Sequence, residues 1–167
     1  MLGLIYRQVA TVCKYSQDDR TFELMWIKLG NNITGTLYHP PKPIYQTEHL
    51  LLYLEVTLEE ISRDSPAATL ILSVDFNQMS DDIVCERTGL TSIVKQPTRG
   101  KHILDRIYVS QPSYSIVGVI TSVVRSAHSA VVVYADQNHV HTDQDIHEVH
   151  ISTENAISAC SVSLVCC

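Results

Sequence analysis

Residues 69–77 read T-L-I-L-S-V-D-F-N, a nearly continuous apolar run that ends in an acid, an aromatic ring and an amide. Such a run predicts a strand covered on both faces. Asp75 and Asn77 follow two residues apart, so we expect both side chains on the same side of the chain. A carboxylate and an amide at a strand end can orient a water and a polar substrate, although both are also ordinary turn residues.

A helix is predicted immediately before this strand, over residues 47–63. Its leucines and isoleucine recur at three- and four-residue spacing and form one apolar stripe. Thr47 is the expected N-cap, and Asp64-Ser65-Pro66 ends the helix. A helix followed directly by a buried strand favours a layered α/β protein.

Further elements are expected on both sides of this unit. Strands at 23–29 and 33–38, joined by Gly30-Asn31-Asn32, indicate a hairpin. The remaining predictions are strands at 1–11, 102–110, 115–124 and 130–135, a loop at 14–20, and a short helix at 80–88 that begins at Ser80 and ends at Gly89.

Three further polar residues lie near predicted strands. Tyr38 ends a strand just before the stiff segment His39-Pro40-Pro41-Lys42-Pro43. Asp105 lies inside an apolar strand and needs a partner there, either an arginine, Arg99 or Arg106, or a histidine. His128 lies in a loop beside the strand at 130–135.

The composition limits the classes of function. The chain has 167 residues, 45% of them hydrophobic, which is typical of a globular protein. Its net charge of −6 and its 12 scattered lysines and arginines argue against tight, unaided binding of nucleic acid. The five cysteines form no C-x-x-C pair, and neither a membrane span nor a signal peptide is recognisable, so we expect an intracellular protein with reduced thiols.

The segment after residue 135 differs from the rest of the chain. Residues 136–154 are rich in histidine and aspartate, and residues 159–167 form an apolar tail. The spacing of His139 and His141 is compatible with a metal, but an exposed polar segment is the preferred interpretation. We therefore divide the chain into a domain at 1–135 and a segment of unknown role at 136–167.

Five motifs in order carry a resemblance to a known superfamily. They are Y-x-P-P at 38, V-D-F-N at 74, L-T-x-I-V-x-x-P-T-R at 90, L-D-R-I at 104 and S-A-H-S-A-V at 126. Together they resemble the endonuclease/exonuclease/phosphatase superfamily, and more narrowly the endonuclease domain of LINE-type (non-LTR) retrotransposons. The resemblance implies two packed mixed β-sheets flanked by helices, DNA as substrate, Mg²⁺ as cofactor and a nuclear location.

The resemblance also implies a role for each matching residue. Asp75 matches the acid that orients or deprotonates the attacking water, and Asn77 the amide that holds this water or a phosphate oxygen. Tyr38 matches the tyrosine that hydrogen-bonds the scissile phosphate. His128 matches the histidine that contacts the phosphate, and Asp105 the acid that orients this histidine.

Departures from the family pattern lead us to expect impaired catalysis. The family has S-D-H where this chain has S-A-H, so Ala127 occupies the expected carboxylate position. An early asparagine and a metal-binding glutamate are not found, and we expect that the opening strands which carry them are missing. Mg²⁺ should then bind weakly or not at all. We also expect weak binding of DNA, no association with membranes, and self-association through an exposed sheet edge.

The sequence leaves open whether the chain is an enzyme. The first hypothesis is a degenerate Mg²⁺-dependent phosphodiesterase of retrotransposon origin. The second is an active phosphodiesterase whose substitute metal ligands include His139 and His141. The third is an interaction module that retains only the scaffold.

Overall fold

A computed structural model describes residues 11–12, 17–18, 23–77, 79–114, 116–122, 126–134 and 136. Two helices occur in these residues, α1 (Thr47–Asp64) and α2 (Asp81–Thr88). The strands are β1 (Thr11–Val12), β2 (Gln17–Asp18), β3 (Glu23–Leu29), β4 (Asn32–Tyr38), β5 (Thr69–Asp75), β6 (Thr91–Ser92), β7 (Asp105–Val109), β8 (Ile116–Ile120) and β9 (Ala130–Tyr134).

The strands form one large mixed sheet and one small sheet. The large sheet has the order β1-β3-β4-β5-β7-β6, and β2 also pairs with β3. Strands β4 and β5 run parallel, because α1 connects them, whereas β5 and β7 run antiparallel. Strands β8 and β9 form the antiparallel second sheet.

Strand β5 is buried on both faces, as the apolar run predicts. Leu70, Leu72 and Val74 lie in a hydrophobic core with α1 and α2. Ile71 lies in a second core with Val131 of β9. Helices, large sheet and small sheet are thus stacked as layers, and the predicted α/β layered fold is confirmed.

The predicted hairpin is also confirmed as the pair β3 and β4. Gly30, with φ of +59°, occupies the left-handed conformation of its turn. The cross-strand pair Trp26 and Gly35 lies in the helix-side core, where the missing side chain of the glycine leaves room for the indole. The hairpin therefore places Tyr38, the last residue of β4, beside the end of β5.

The predicted helices occur, with one correction at a cap. In α2, Ser80 is the N-cap and Gly89 is the left-handed C-cap, with φ of +68°, as predicted. In α1, Thr47 is the first helical residue and not the N-cap. Gln46 is the N-cap instead, because its carbonyl already accepts a hydrogen bond from the His49 N–H at 2.9 Å.

Three other differences concern strands and loops. The predicted loop at 14–20 contains β2, which pairs with β3 despite its polar sequence because backbone hydrogen bonds do not depend on side chains. Strand β7 begins at Asp105 and does not extend from 102, since the preceding residues form a tight turn. The predictions for residues 1–10 and for the His/Asp-rich segment after residue 136 fall outside the described residues.

In the part of the chain that is described, neither helix is long and apolar enough to cross a membrane.

Candidate functional site

Three neighbouring strands of the large sheet present polar side chains on one face. Tyr38 pairs in register with Asp75 across β4 and β5, and Asp75 pairs with Asp105 across β5 and β7. The preceding residues, Leu37 and Val74, point into the helix-side core. Because side chains alternate along a strand, Tyr38 and Asp75 point towards the opposite face, which carries the small sheet.

Asp105 and His128 form a hydrogen-bonded pair beside Asp75. Nδ1 of His128 lies 2.9 Å from Oδ2 and 3.1 Å from Oδ1 of Asp105. Asp105 is fully buried, and 12% of the His128 side chain is exposed. The buried acid predicted from sequence to need a partner is therefore paired with the histidine, and its carboxylate fixes the orientation of the imidazole ring.

Thr98 binds the backbone at Asp105 and next to His128, a role that the sequence did not reveal. Its Oγ1 accepts hydrogen bonds at 3.0 Å from the backbone N–H groups of Leu104 and Asp105. Its carbonyl accepts a hydrogen bond at 2.7 Å from the N–H of Ser129, next to His128. The available sequence signal was its place in the motif L-T-x-I-V-x-x-P-T-R, immediately after Pro97.

The environment of Asp75 disfavours its charged form. Burial raises the pKa of the Asp75 carboxyl, and the neighbouring carboxylate of Asp105 raises it further. The hydrogen bond that Oδ1 accepts from the Asn77 N–H, at 3.2 Å, and the nearby His128 and Arg99 act in the opposite direction. A carboxyl with a raised pKa is a stronger proton acceptor once it is ionised.

Asn77 is close to the site, but not through simple strand alternation. Strand β5 ends at Asp75, and Asn77 adopts a left-handed conformation with φ of 44°, which asparagine tolerates better than most residues. Its Nδ2 donates a hydrogen bond to the carbonyl of His39 at 2.9 Å. The expectation that Asp75 and Asn77 share a side rests on alternation within a strand, which does not apply here because β5 ends at Asp75, so it stays a prediction.

The segment after Tyr38 is tied to the end of β5 through the backbone of His39, whose N–H donates to the Asp75 carbonyl at 3.0 Å. Tyr38 itself is 46% exposed. His39 is buried, its Nδ1 lies 2.7 Å from the Tyr45 hydroxyl, and burial lowers the pKa of its imidazole. Burial also raises the pKa of Tyr45 to about 12. His39 also borders a cavity of about 360 Å³, together with Pro41, Pro43, Thr47, Leu51, Met79, Ser80 and Ile83.

The two arginines considered as partners of Asp105 make other contacts. Arg106 donates hydrogen bonds to the carbonyls of Ile103 and Met79 and lies 3.5 Å from the carboxylate of Asp81. Nη1 of Arg99 lies 3.3 Å from Nε2 of His128. His128 thus lies between a carboxylate on one nitrogen and a guanidinium on the other.

The described side chains do not fit a Mg²⁺ site in this arrangement. Asp75, Asp105 and His128 place ligand atoms within 4.8 Å of one another. However, His128 Nδ1 is hydrogen-bonded to Asp105 and its Nε2 faces Arg99. Mg²⁺ prefers oxygen ligands in octahedral geometry, and Ala127, next to His128, contributes no ligand atom. In the described arrangement, Asp105 and His128 are hydrogen-bonded to each other, and His128 offers no free nitrogen to a cation.

No protein-family model matches the sequence, and no curated protein sequence matches it. Solved structures do match. An endonuclease/exonuclease/phosphatase family protein from Bacteroides thetaiotaomicron is 17% identical, with a TM-score of 0.45, over 66% of this chain and 53% of that one. TDP2 from D. rerio, complexed with a single-strand DNA product, is 14% identical with a TM-score of 0.43, over 72% and 64% of the two chains.

The endonuclease domain of TRAS1, a telomere-specific non-LTR retrotransposon, is 15% identical with a TM-score of 0.50, over 74% of this chain and 68% of that domain. The described layers are thus similar in fold to this endonuclease domain, as the resemblance in sequence predicted. The chain spans about half the length of the Bacteroides protein.

Proposed function

We propose that this chain carries a phosphate-ester site of the endonuclease/exonuclease/phosphatase type, directed at DNA and impaired in catalysis. The observation that supports this most is the buried Asp105–His128 pair beside Asp75, on the end of a central strand. Such an acid–histidine pair positions an imidazole to contact an anionic group.

Each residue of the site has a proposed role in handling the phosphate. Asp75 accepts a proton from an attacking water, or holds that water in place. When protonated on both nitrogens, His128 donates a hydrogen bond from Nε2 to a non-bridging phosphate oxygen and another from Nδ1 to Asp105, which keeps the ring in place. Tyr38, which is half exposed, donates a hydrogen bond from its hydroxyl to the same phosphate, and Asn77 supports the loop at His39.

The proposed impairment rests on carboxylates: among the described residues, the site has too few free carboxylate oxygens to bind a cation. Ala127 supplies no carboxylate beside His128, and both oxygens of Asp105 lie within hydrogen-bond distance of that histidine. Loss of one preorganised electrostatic group typically lowers the rate by about 10²–10³-fold. We therefore expect the chain to bind single-stranded or nicked DNA without efficient cleavage.

Binding and cleavage are tested separately on the purified full chain. Fluorescence polarisation with a short fluorescein-labelled single-stranded DNA measures binding, and His128→Ala should weaken it roughly tenfold. His49→Ala, at an exposed histidine of α1, is the matched control and should leave binding unchanged. Plasmid nicking with added MgCl₂ should stay close to background, both for the natural chain and for Ala127→Asp.

Efficient Mg²⁺-dependent nicking by the natural chain would contradict the proposed impairment. Identical DNA binding by the natural chain and the His128→Ala variant would contradict the proposed site itself.

A second candidate function is an active, metal-assisted phosphodiesterase. The three ligand atoms within 4.8 Å of one another favour it, provided that a cation displaces Arg99 and breaks the hydrogen bond between Asp105 and His128. Calorimetric titration with Mn²⁺ discriminates between the two functions, because tight binding that Asp75→Asn abolishes would support a metal site. Binding that requires His139 and His141 would place the ligands in the segment after residue 136.

Self-association is proposed from the small sheet. Ile116, Ile120 and Tyr134 leave 53%, 48% and 41% of their surface exposed on strands β8 and β9. Exposed apolar residues on a two-stranded sheet favour pairing with another chain. Size-exclusion chromatography at several protein concentrations tests this, and a monomer at every concentration would contradict it.

A further inference from the structure

The turn that carries Arg99 is held firmly by backbone hydrogen bonds. Arg99 and His102 form a β-bridge, and each backbone N–H donates to the carbonyl of the other, at 3.0 and 2.9 Å. The N–H of Thr98 donates to the same His102 carbonyl at 2.9 Å, and Gly100 provides the left-handed residue with φ of +58°. The backbone of Arg99 is therefore fixed beside the site, while its exposed side chain can turn.

The contact between Arg99 and His128 determines which atom of the imidazole carries the proton. A guanidinium only donates hydrogen bonds. Nε2 of His128, 3.3 Å from Arg99 Nη1, must therefore be the acceptor, and the proton lies on Nδ1, which donates to Asp105. Arg99 thus occupies the position in which a ligand would otherwise contact Nε2 of His128.

Arg99 is the described arginine whose charge is directed at the site. Arg106 is bound to the Met79 carbonyl at 2.6 Å, and Arg87 is paired with Glu48 and Glu55 at 2.6 and 2.7 Å. Arg63, in the last turn of α1, lies 4.0 Å from the carboxylate of Asp64. The carboxyls of Asp75 and Asp105 otherwise make this part of an acidic chain unfavourable for an anion. A phosphate that enters the site needs a compensating positive charge, and Arg99 is in place to provide it.

We propose that Arg99 is a phosphate-binding residue of this site, which turns from His128 Nε2 to a non-bridging oxygen of a bound phosphate ester. This inference rests on the proposed function. The guanidinium fork matches two phosphate oxygens and remains charged at every accessible pH. Once Arg99 has turned away, Nε2 of His128 takes up a proton from solvent and donates a hydrogen bond to the same phosphate. Arg99 therefore has two roles. Without a ligand it donates a hydrogen bond to His128 Nε2, and with a ligand it binds the phosphate.

The test compares Arg99→Ala with Lys101→Ala, which removes the same charge from the same exposed turn. The probe is the short fluorescein-labelled single-stranded DNA, with inorganic phosphate as competitor. Arg99→Ala should weaken binding roughly tenfold or more, and Lys101→Ala less than about threefold. Arg99→Lys should restore only part of the affinity, since an ammonium lacks the fork. The slope of log affinity against log salt should also fall by about 0.7 in Arg99→Ala, as expected for one lost phosphate contact on a single strand.

The outcomes separate this inference from the proposed function. If His128→Ala weakens binding and Arg99→Ala binds like the natural chain, the role of Arg99 is wrong and the proposed function stands. Equal losses of DNA affinity in Arg99→Ala and Lys101→Ala would also overturn it. Such a result would mean that any positive charge on this turn attracts DNA, independently of the position of Arg99 beside His128. No measurable binding by the natural chain would overturn both. Thermal unfolding of Arg99→Ala should match the natural chain, since the side chain is exposed.

Discussion

Asp75 and Asp105 lie directly opposite each other on antiparallel strands β5 and β7, and both are buried. Side chains in such a pair are about 4.5–5.5 Å apart at their Cβ atoms, so two carboxylates there destabilise each other when both are charged. His128 compensates Asp105 with a direct hydrogen bond. The repulsion therefore acts mainly on Asp75. Burial raises the pKa of Asp75, and the charge of Asp105 raises it further.

Asp75→Asn should consequently stabilise the protein at neutral pH. Since the pKa of Asp75 is higher in the folded chain, this carboxyl contributes stability below its ordinary pKa of 3.8, and the contribution is lost as the pH rises through the folded value. Asparagine keeps the oxygen that accepts the Asn77 N–H and removes the charge.

The measurement for this variant is the melting temperature as a function of pH. The gain over the natural chain should be largest near pH 7 and should shrink towards about pH 4. Glu59→Gln, at an exposed carboxyl of α1, is the control and should show no such trend. An unchanged or lower melting temperature of Asp75→Asn at pH 7 would show that the ionised carboxylate is well compensated.

Thr98→Val should destabilise the protein and loosen the site. The methyl group replaces the Oγ1 that accepts two backbone N–H groups, those of Leu104 and Asp105. A buried donor left without a partner costs about 1–3 kcal/mol, so we expect a loss of about 2 kcal/mol or more in urea unfolding. DNA binding should weaken as well, because Thr98 also holds the backbone next to His128.

Thr98→Ser serves as the matched control, because it keeps the hydroxyl and removes only a methyl group. It should retain most of the stability and the DNA binding of the natural chain. Equal losses of stability in Thr98→Val and Thr98→Ser would mean that packing of the Thr98 methyl group, and not the Thr98 hydroxyl, holds this loop.

The parts of the fold that sequence predicted are those whose signal is local. The apolar run of β5, the stripe of α1 and the Gly-Asn turn between β3 and β4 each depend on residues close in sequence. The pairing of Asp105 needed one further argument, that a buried acid requires a partner. That argument left two arginines and a histidine open, and the structure selects His128.

The parts that sequence missed depend on contacts between distant backbone atoms. Nothing in the spacing around Thr98 shows that its hydroxyl reaches residues 104 and 105. Likewise, the strand β2 is polar and is identified only by its partner β3. The side to which Asn77 points does not follow from alternation, because alternation holds within a strand and the chain leaves the strand after Asp75.

Gly35→Ala should destabilise the hairpin that places Tyr38. A Cβ at this position would lie 2.5 Å from Cζ3 of Trp26, whose side chain is fully buried. Inserting a methyl group into a packed core typically costs about 1–3 kcal/mol, and the rigid indole leaves little room for adjustment. Urea unfolding measures the loss.

Gly118→Ala, in strand β8, is the control for this substitution. Its added Cβ would meet only the Val132 carbonyl oxygen at 3.9 Å, so we expect little change. If Gly35→Ala were as stable as Gly118→Ala, the indole of Trp26 would have to shift without loss of packing.

His39 should make the protein less stable in mild acid. Burial lowers the pKa of its imidazole from the ordinary value of 6.5, while the charge of Asp75 acts weakly in the opposite direction. The unfolded chain therefore binds a proton more readily than the folded chain, and stability falls as the pH drops from about 6.5 towards the folded value.

His39→Gln removes the titrating group, and its amide can keep a hydrogen bond to the Tyr45 hydroxyl. The free energy of unfolding in urea should then fall less between pH 7 and pH 5 in His39→Gln than in the natural chain. His49→Gln, at an exposed histidine, should follow the natural chain, and a parallel curve for His39→Gln would show that His39 carries no net penalty for protonation.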